Sequence, residues 1–259
     1  MFFTSEQHEL WRRDGYLKVE RFLSPTEVGS VTRWVEEIAA WPDSDDCWMH
    51  HREATPDGVR LSRSENFLPY HRGMRSLLTE GKIPAAVSEA LGEPAVLYKE
   101  KINYKYPGGG GYVAHQDAPA YAMIKKHVTC LVAIDTMTPE NGCLFFAPGL
   151  HTDGLIALNT EGCIESHVAD QLDWVAVPTR PGDILLFSSY APHKSPRNSS
   201  QRSRRALYLT YNASAEGDLR ADYYASKRKI FAQNIRSGSA ETDRISTIGH
   251  FQGKTVLDK

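Results

Sequence analysis

Ala95-Val96-Leu97-Tyr98-Lys99-Glu100-Lys101-Ile102-Asn103-Tyr104-Lys105-Tyr106 has a period of two. Successive side chains of a strand point to opposite faces, so Lys99, Lys101, Asn103 and Lys105 share one face. Glu100, Ile102, Tyr104 and Tyr106 share the other, and the stretch is expected to be a long strand. Downstream, residues 128–134, 142–147, 174–177, 184–187 and 206–211 are further strand candidates. Turn signals separate them: the glycine run 107–111, Pro139-Glu140-Asn141-Gly142, Pro148-Gly149 and Arg180-Pro181-Gly182-Asp183. Short strands so spaced predict a β-sandwich or jelly roll.

Upstream the pattern is helical. Ser5 is expected to cap a helix through Arg13 that Gly15 ends. Ser24-Pro25-Thr26-Glu27 is a capping box with proline at the first helical position, opening a helix towards Ala40. Residues 47–70 are polar and expected to be irregular; short helices are expected over 74–80 and 84–91, and a last one over 222–235. The expectation is a single domain over residues 1–259: a helical N-terminal region over residues 1–94, a β core over 95–215 and a C-terminal helix within 216–259.

Charge and composition exclude several classes. With 30 Lys+Arg against 32 Asp+Glu the net charge is -2, which argues against a nucleic-acid-binding protein. The opening Met1-Phe2-Phe3-Thr4-Ser5-Glu6 runs into charged residues, without the apolar stretch of a signal peptide. No apolar run approaches the roughly 18 residues of a membrane span. Cys47, Cys130, Cys143 and Cys163 are scattered and form no CxxC pair, so they read as reduced thiols. The expectation is a soluble, cytoplasmic protein acting on a small molecule, with no nucleic acid, membrane or partner protein indicated.

The chemistry lies in Tyr112-Val113-Ala114-His115-Gln116-Asp117. If these residues form a strand, His115 and Asp117 present an imidazole and a carboxylate to one space. His193 follows the apolar strand 184–187. Two histidines and one carboxylate on a β scaffold make the facial triad of non-haem Fe(II) oxygenases, which leaves coordination positions open. Arg202, Arg204 and Arg205 lead into the next strand, where a guanidinium could hold the carboxylate of a 2-oxo acid. Singly, each feature has a bland reading: a chance three-residue pattern, a turn histidine, a solvated basic face. Their order along the chain carries the inference.

With these motifs the chain resembles the phytanoyl-CoA dioxygenase-like branch of the Fe(II)/2-oxoglutarate oxygenases, from about Leu17 to Tyr211. The resemblance includes Asp14-Gly15-Tyr16-Leu17, His115-Gln116-Asp117, Glu140-Asn141-Gly142-Cys143-Leu144, Ala147-Pro148-Gly149-Leu150-His151 and Pro181-Gly182-Asp183. Leu150 departs from the family's usual serine, at a loop position that is not a ligand. The resemblance implies a mainly β fold with flanking helices around a double-stranded β-helix (jelly-roll, cupin-like) core. It implies His115, Asp117 and His193 as iron ligands, with 2-oxoglutarate and O2 as co-substrates. It also implies that Arg204, eleven residues after His193, grips the far carboxylate of 2-oxoglutarate, with Ser195 as its helper. By likeness to the ectoine hydroxylases, Asn103 contacts 2-oxoglutarate, Lys101 faces the pocket and Tyr112 walls the co-substrate site. The halogenating relatives lack the carboxylate that Asp117 supplies, which favours hydroxylation or another oxidation.

Gly108 to Gly111 lack the Gly-Lys-Ser/Thr of a phosphate loop and are expected to form a flexible hairpin able to close over substrate. His151 is expected to be structural. Tyr121 is a pocket candidate by position, and the polar segment 60–67, with Arg63 and Asn66, sits where family members build their substrate pocket. With Lys99, Lys101 and Lys105 it could form a basic floor for an anionic group. Substrates would then be small and polar, such as an amino acid, an aminoalkylphosphonate or a betaine-like compound. Around Tyr98 to Tyr106 and Tyr112 to Tyr121 the likeness is nearest to bacterial members hydroxylating aminoethylphosphonate-type substrates. The rivals are a non-catalytic β-helix binding module, which has no need of His115, Asp117, His193 and Arg204 together, and a zinc hydrolase, which leaves Arg204 idle. Within the enzyme class they are an acyl-CoA hydroxylase and an oxidative cyclase or desaturase.

Overall fold

In the computed structural model, which describes residues 1–236 except 56, 122 and 161, the alternating stretch is strand β4 (Ala95–Lys105). The other strands are β1 (Tyr16–Val19), β2 (Met49–Thr55), β3 (Gly58–Glu65), β5 (Tyr112–His115), β6 (His127–Ala133), β7 (Leu144–Phe146), β8 (Val175–Val177), β9 (Ile184–Ser188), β10 (His193–Ser195) and β11 (Arg204–Ala213). They form a seven-stranded sheet, ordered β1-β9-β6-β11-β4-β3-β2, and a four-stranded sheet, β5-β10-β7-β8. Every pairing is antiparallel, as expected for a jelly roll.

The helices are α1 (Ser5–Asp14), α2 (Pro25–Ala39), α3 (Arg72–Thr79), α4 (Lys82–Leu91), the short α5 (Ser166–Ala169) and α6 (Arg220–Arg236). The outer face of the large sheet is apolar because it lies against the early helices. Ile102 and Tyr104 of β4 pack there with Val31 and Val35 of α2, Met74 and Leu78 of α3 and Ile83 and Val87 of α4. The inner face turns towards the small sheet, where Leu131, Leu185 and Phe187 meet Leu144 and Phe146. The polar side of β4 therefore faces a space between two sheets.

Several expectations need correction. Thr4, not Ser5, caps α1, accepting from the Gln7 N–H while Gln7 reaches back to the Thr4 N–H. Ser24 caps α2 as expected. The first forty residues also contain β1, paired in register with β9 from Tyr16–Phe187 to Val19–Ile184. Gly15, in the left-handed region, turns the chain from α1 into that strand. Residues 47–70 contain the β2–β3 hairpin, which extends the large sheet through β4. A boundary at residue 94 therefore does not separate a helical region from a β region. The last helix among the described residues is α6, and the remainder of the expected segment 216–259 lies outside the described residues beyond Arg236. The glycine run is not a hairpin either, because β4 and β5 belong to different sheets. It crosses between them, clasped by Asn198: the Gly108 N–H donates to the Asn198 carbonyl at 2.8 Å and the Asn198 N–H to the Gly109 carbonyl at 3.0 Å.

Candidate metal centre and its pocket

Strands β5 and β10 place His115 and His193 opposite one another in register. Each ring nitrogen Nδ1 lies near the carbonyl two residues earlier, His115 to Val113 at 2.7 Å and His193 to Ala191 at 3.0 Å. A carbonyl only accepts, so each Nδ1 carries the proton and each Nε2 keeps its lone pair. Asp117 lies beyond the end of β5, at the start of a single 3-10 turn (Ala118–Ala120), with φ -74° and ψ -26°. Its carboxylate still converges with the imidazoles, by a turn and not by strand periodicity. One ligand atom from each of His115, Asp117 and His193 lies within 4.8 Å of the others, and all three residues are buried. Thr129 Oγ1 donates to Asp117 Oδ2 at 3.5 Å, and His115 Nε2 is 3.8 Å from Asp117 Oδ1.

Electrostatics keep these groups in their metal-binding forms. Burial and then the neighbouring His193 push the His115 pKa down to about 3. Burial likewise lowers His193. Burial alone would raise Asp117, yet His193, His115, Lys99 and Lys101 together hold its carboxyl well below the usual range. Two neutral imidazoles and an ionised carboxylate that converge in this way suit a divalent metal.

Opposite the triad lies the β4–β11 ladder, whose register sets Lys105 against Arg204, Asn103 against Ala206, Lys101 against Tyr208 and Lys99 against Thr210. Arg204 is 1% exposed. Its Nη2 donates to the Gly142 carbonyl at 2.6 Å, while Nε and Nη1 have no hydrogen-bond partner among the described residues. Arg205, one residue on, points outward to Asp135 at 2.8 Å and Glu36 at 3.1 Å. Ser195 Oγ donates to the Gly142 carbonyl at 3.0 Å and accepts from Lys105 Nζ at 2.6 Å. Asn103 Oδ1 is buried with no partner among the described residues. A cavity between the sheets is lined by the triad together with Lys101, Asn103, Tyr112, Ser195 and Tyr208.

The remaining candidates divide. Arg63 is buried, donating to Glu65 at 3.3 Å and to the Tyr112 hydroxyl at 3.2 Å. Tyr121 is buried, with its ring 4.4 Å from Lys99 Nζ. Asn66 does not reach the cavity: its amide donates to the Cys47 carbonyl at 2.7 Å and accepts from Arg220 at 2.9 Å, tying α6 to the hairpin. Sequence reasoning missed Thr129, Tyr208 and the carbonyl of Gly142. Thr129 and Tyr208 lie on inner strand faces, a placement that pairing register reveals. Gly142 belongs to a turn that gave a motif without a role; its φ is +85°, and a Cβ there would lie 2.6 Å from Lys105 Nζ and from the Pro196 carbonyl.

The model of the phytanoyl-CoA dioxygenase (PhyH) family matches residues 11–206. The chain belongs to the phytanoyl-CoA dioxygenase family. Members of this family are iron- and 2-oxoglutarate-dependent oxygenases, and this member is a dioxygenase with the jelly-roll core of its class. It is 60% identical over 251 residues to the methylphosphonate hydroxylase of Gimesia maris, covering 97% of this chain and 96% of that protein. It is 42% identical over 234 residues to the 2-aminoethylphosphonate dioxygenase of an uncultured bacterium, covering 89% of each. The fold of this phytanoyl-CoA dioxygenase family member superposes on EctD from S. alaskensis, solved with 2-oxoglutarate and 5-hydroxyectoine, at a TM-score of 0.69 and 20% identity over 83% of this chain and 77% of that one. Among the described residues, no helix is long and apolar enough to cross a membrane.

Proposed function

We propose that the protein hydroxylates the carbon attached to phosphorus in a small alkylphosphonate, methylphosphonate first among them, with Fe(II), 2-oxoglutarate and O2. The observation that carries this substrate class is the likeness, over nearly the full length of both chains, to a methylphosphonate hydroxylase. His115, Asp117 and His193 would hold the iron through two Nε2 atoms and one carboxylate oxygen, leaving positions for co-substrate and oxygen. Bound iron with 2-oxoglutarate supplies the oxidising power, a chemistry that belongs to the cofactor. Over the whole reaction one atom of O2 ends in the new hydroxyl and the other in succinate, and carbon dioxide leaves.

The chain's own contribution is positioning. Arg204 would take the far carboxylate of 2-oxoglutarate through the two guanidinium nitrogens that have no hydrogen-bond partner among the described residues. Asn103 would meet the co-substrate with its amide, and Tyr112 would wall that end of the cavity. Ser195 would act at one remove, since its hydroxyl already joins Lys105 to Gly142. Thr129 would hold one oxygen of Asp117 so that the other faces the metal.

The test is incubation of Fe(II)-loaded protein with 2-oxoglutarate, oxygen and methylphosphonate, followed by phosphorus NMR. Hydroxymethylphosphonate should appear in proportion to succinate. Succinate without a new phosphorus signal, across methyl-, ethyl- and 2-aminoethylphosphonate, would remove the phosphonate assignment.

A further inference from the structure

Strand β4 carries cations at both ends of its inner face. Lys105 sits against Arg204 at one end, while Lys101 and Lys99 sit against Tyr208 and Thr210 towards the other. Lys101 and Lys105 are four residues apart, so their Cα atoms lie about 13 Å apart. Between them comes Asn103, which lines the same cavity as the metal triad.

Most inward-facing cations of this region are engaged. Arg63 donates to Glu65 and the Tyr112 hydroxyl, and Lys227 of α6 donates to Glu65. Lys105 donates to Ser195 and to the Pro196 carbonyl, both at 2.6 Å. Arg220 is paired with Glu100 at 2.5 Å. Lys99 and Lys101 differ: among the described residues neither has a hydrogen bond or ion pair, and both ammonium groups meet ring faces. Lys99 Nζ lies 4.4 Å from the Tyr121 centroid and 5.9 Å from that of Tyr223, and Lys101 Nζ lies 5.0 Å from Tyr208.

Lys99 is buried and Lys101 partly buried; an ammonium drawn out of water without an acceptor is costly, and ring faces offset only some of that cost. The cost shows in the titration of both groups. Burial and then Lys101 lower Lys99 well below an ordinary lysine, and burial and then Arg63 bring Lys101 down to about 8. The nearby carboxylates are committed, Glu65 to Lys227 and Arg63, and Asp117 to the triad. Two adjacent cations without acceptors, beside a metal site, are short of two negative charges.

We infer that Lys99 and Lys101 are the seat for a phosphonate dianion, at the opposite end of β4 from the carboxylate-holding Arg204. This inference rests on the function proposed above and names the residues that select its substrate. Two ammonium groups match the two charges of a phosphonate, whereas a sulfonate or carboxylate of the same size brings one. Lys101 lines the triad's own cavity, so a phosphonate held there lies beside the metal ligands. Lys105 is excluded from the seat because its ammonium already has two acceptors, Ser195 and the Pro196 carbonyl, and Arg63 because both terminal nitrogens are held by Glu65 and Tyr112, which leaves Nε alone.

The test uses full-length protein loaded with Fe(II) and 2-oxoglutarate without oxygen, titrated calorimetrically with methylphosphonate, methanesulfonate and acetate. Wild type should bind methylphosphonate at least tenfold more tightly than either monoanion. Lys99→Met and Lys101→Met should each weaken methylphosphonate at least tenfold, while 2-oxoglutarate affinity stays within twofold. Ligand-free Lys99→Met should melt above wild type, because an unpaired buried charge is gone. Variants that bind methylphosphonate within threefold of wild type, equal binding of methanesulfonate, or a lower melting temperature for Lys99→Met would each overturn the seat. Product is scored separately. Wild type that binds methylphosphonate through these lysines yet forms no hydroxymethylphosphonate overturns the reaction and leaves the seat standing. Turnover by both variants at wild-type KM overturns the seat and leaves the reaction standing.

Discussion

His115 and His193 are register partners across β5 and β10, their ring centroids 4.2 Å apart, and each directs Nδ1 at a carbonyl of its own strand segment. The two rings are therefore aimed before any metal arrives. His193→Ala and Asp117→Ala should each abolish the visible charge-transfer band that Fe(II) and 2-oxoglutarate give without oxygen. Far-ultraviolet circular dichroism should remain that of wild type. A band of wild-type intensity in either variant would exclude that residue from the metal.

Arg204 and Arg205 are adjacent but face opposite sides of β11. Arg204→Ala should weaken 2-oxoglutarate binding about a hundredfold, the scale of losing charge-assisted hydrogen bonds worth about 3 kcal/mol. Arg205→Ala should leave that affinity unchanged and cost about 1 kcal/mol of stability, since its pairs with Asp135 and Glu36 are partly exposed. Titrations of 2-oxoglutarate read the first effect, and denaturant unfolding the second. Equal losses of affinity would mean that the far carboxylate is bound elsewhere.

Gly142 combines a left-handed backbone with a carbonyl that receives both Arg204 and Ser195. Gly142→Ala should lower stability by about 2 kcal/mol through backbone strain and the clash with Lys105 and Pro196. It should also weaken 2-oxoglutarate binding by displacing Arg204. Thermal melts and a co-substrate titration check both; unchanged affinity would show that Arg204 does not depend on this carbonyl.

Glu65 is buried, and burial alone would raise its pKa, yet Lys227, His51, Arg63 and Lys99 together hold it well below the ordinary value. A carboxyl depressed in the folded state contributes stability above its unfolded pKa, and that stability is lost as pH falls. His51 acts in the same direction: burial lowers it to about 3, so below about pH 6.5 the unfolded chain takes up a proton that the folded one refuses. Glu65→Gln should cost about 3 kcal/mol at pH 7, because Lys227 and Arg63 lose their counter-charge. Its stability should then fall less steeply than wild type between pH 7 and pH 4. Urea unfolding across that range tests the slope, and parallel curves would show that Glu65 titrates normally.

Much of the site could be read from the chain because its components sit at strand spacing. The alternation of β4 placed Lys99, Lys101, Asn103 and Lys105 together; the choice of Arg204 over Arg205 came from the family resemblance, and Arg204 turns inward where Arg205 turns outward. The β2–β3 hairpin escaped notice because the buried residues on both of its faces are largely charged or polar. Arg63 and Glu65 pair with each other, and His50 meets Ser64 at 2.9 Å, so no apolar alternation marks the strands. Strand β1 is short, four residues directly after a helix, and leaves little periodic signal. Asp117 converges with His115 through a turn whose dihedrals no spacing rule supplies. Gly142 and Thr129 act through contacts between elements distant in sequence, with Ser195 and Arg204 and with Asp117, and only pairing brings those elements together.

Lys105, Asn103, Lys101 and Lys99 stand like graduations on a ruler, one every two residues and so about 6.6 Å apart along one strand. A ruler of this kind cannot be stretched by small steps. Inserting or deleting one residue within β4 would turn the side chains on one side of the change towards the helices, so the two ends would no longer face the same space. Divergence to other substrates would thus proceed by exchanging the outer graduations, Lys99 and Lys101, while those beside Arg204 stay where they are. Such a history would leave relatives alike at one end of a single strand and different at the other.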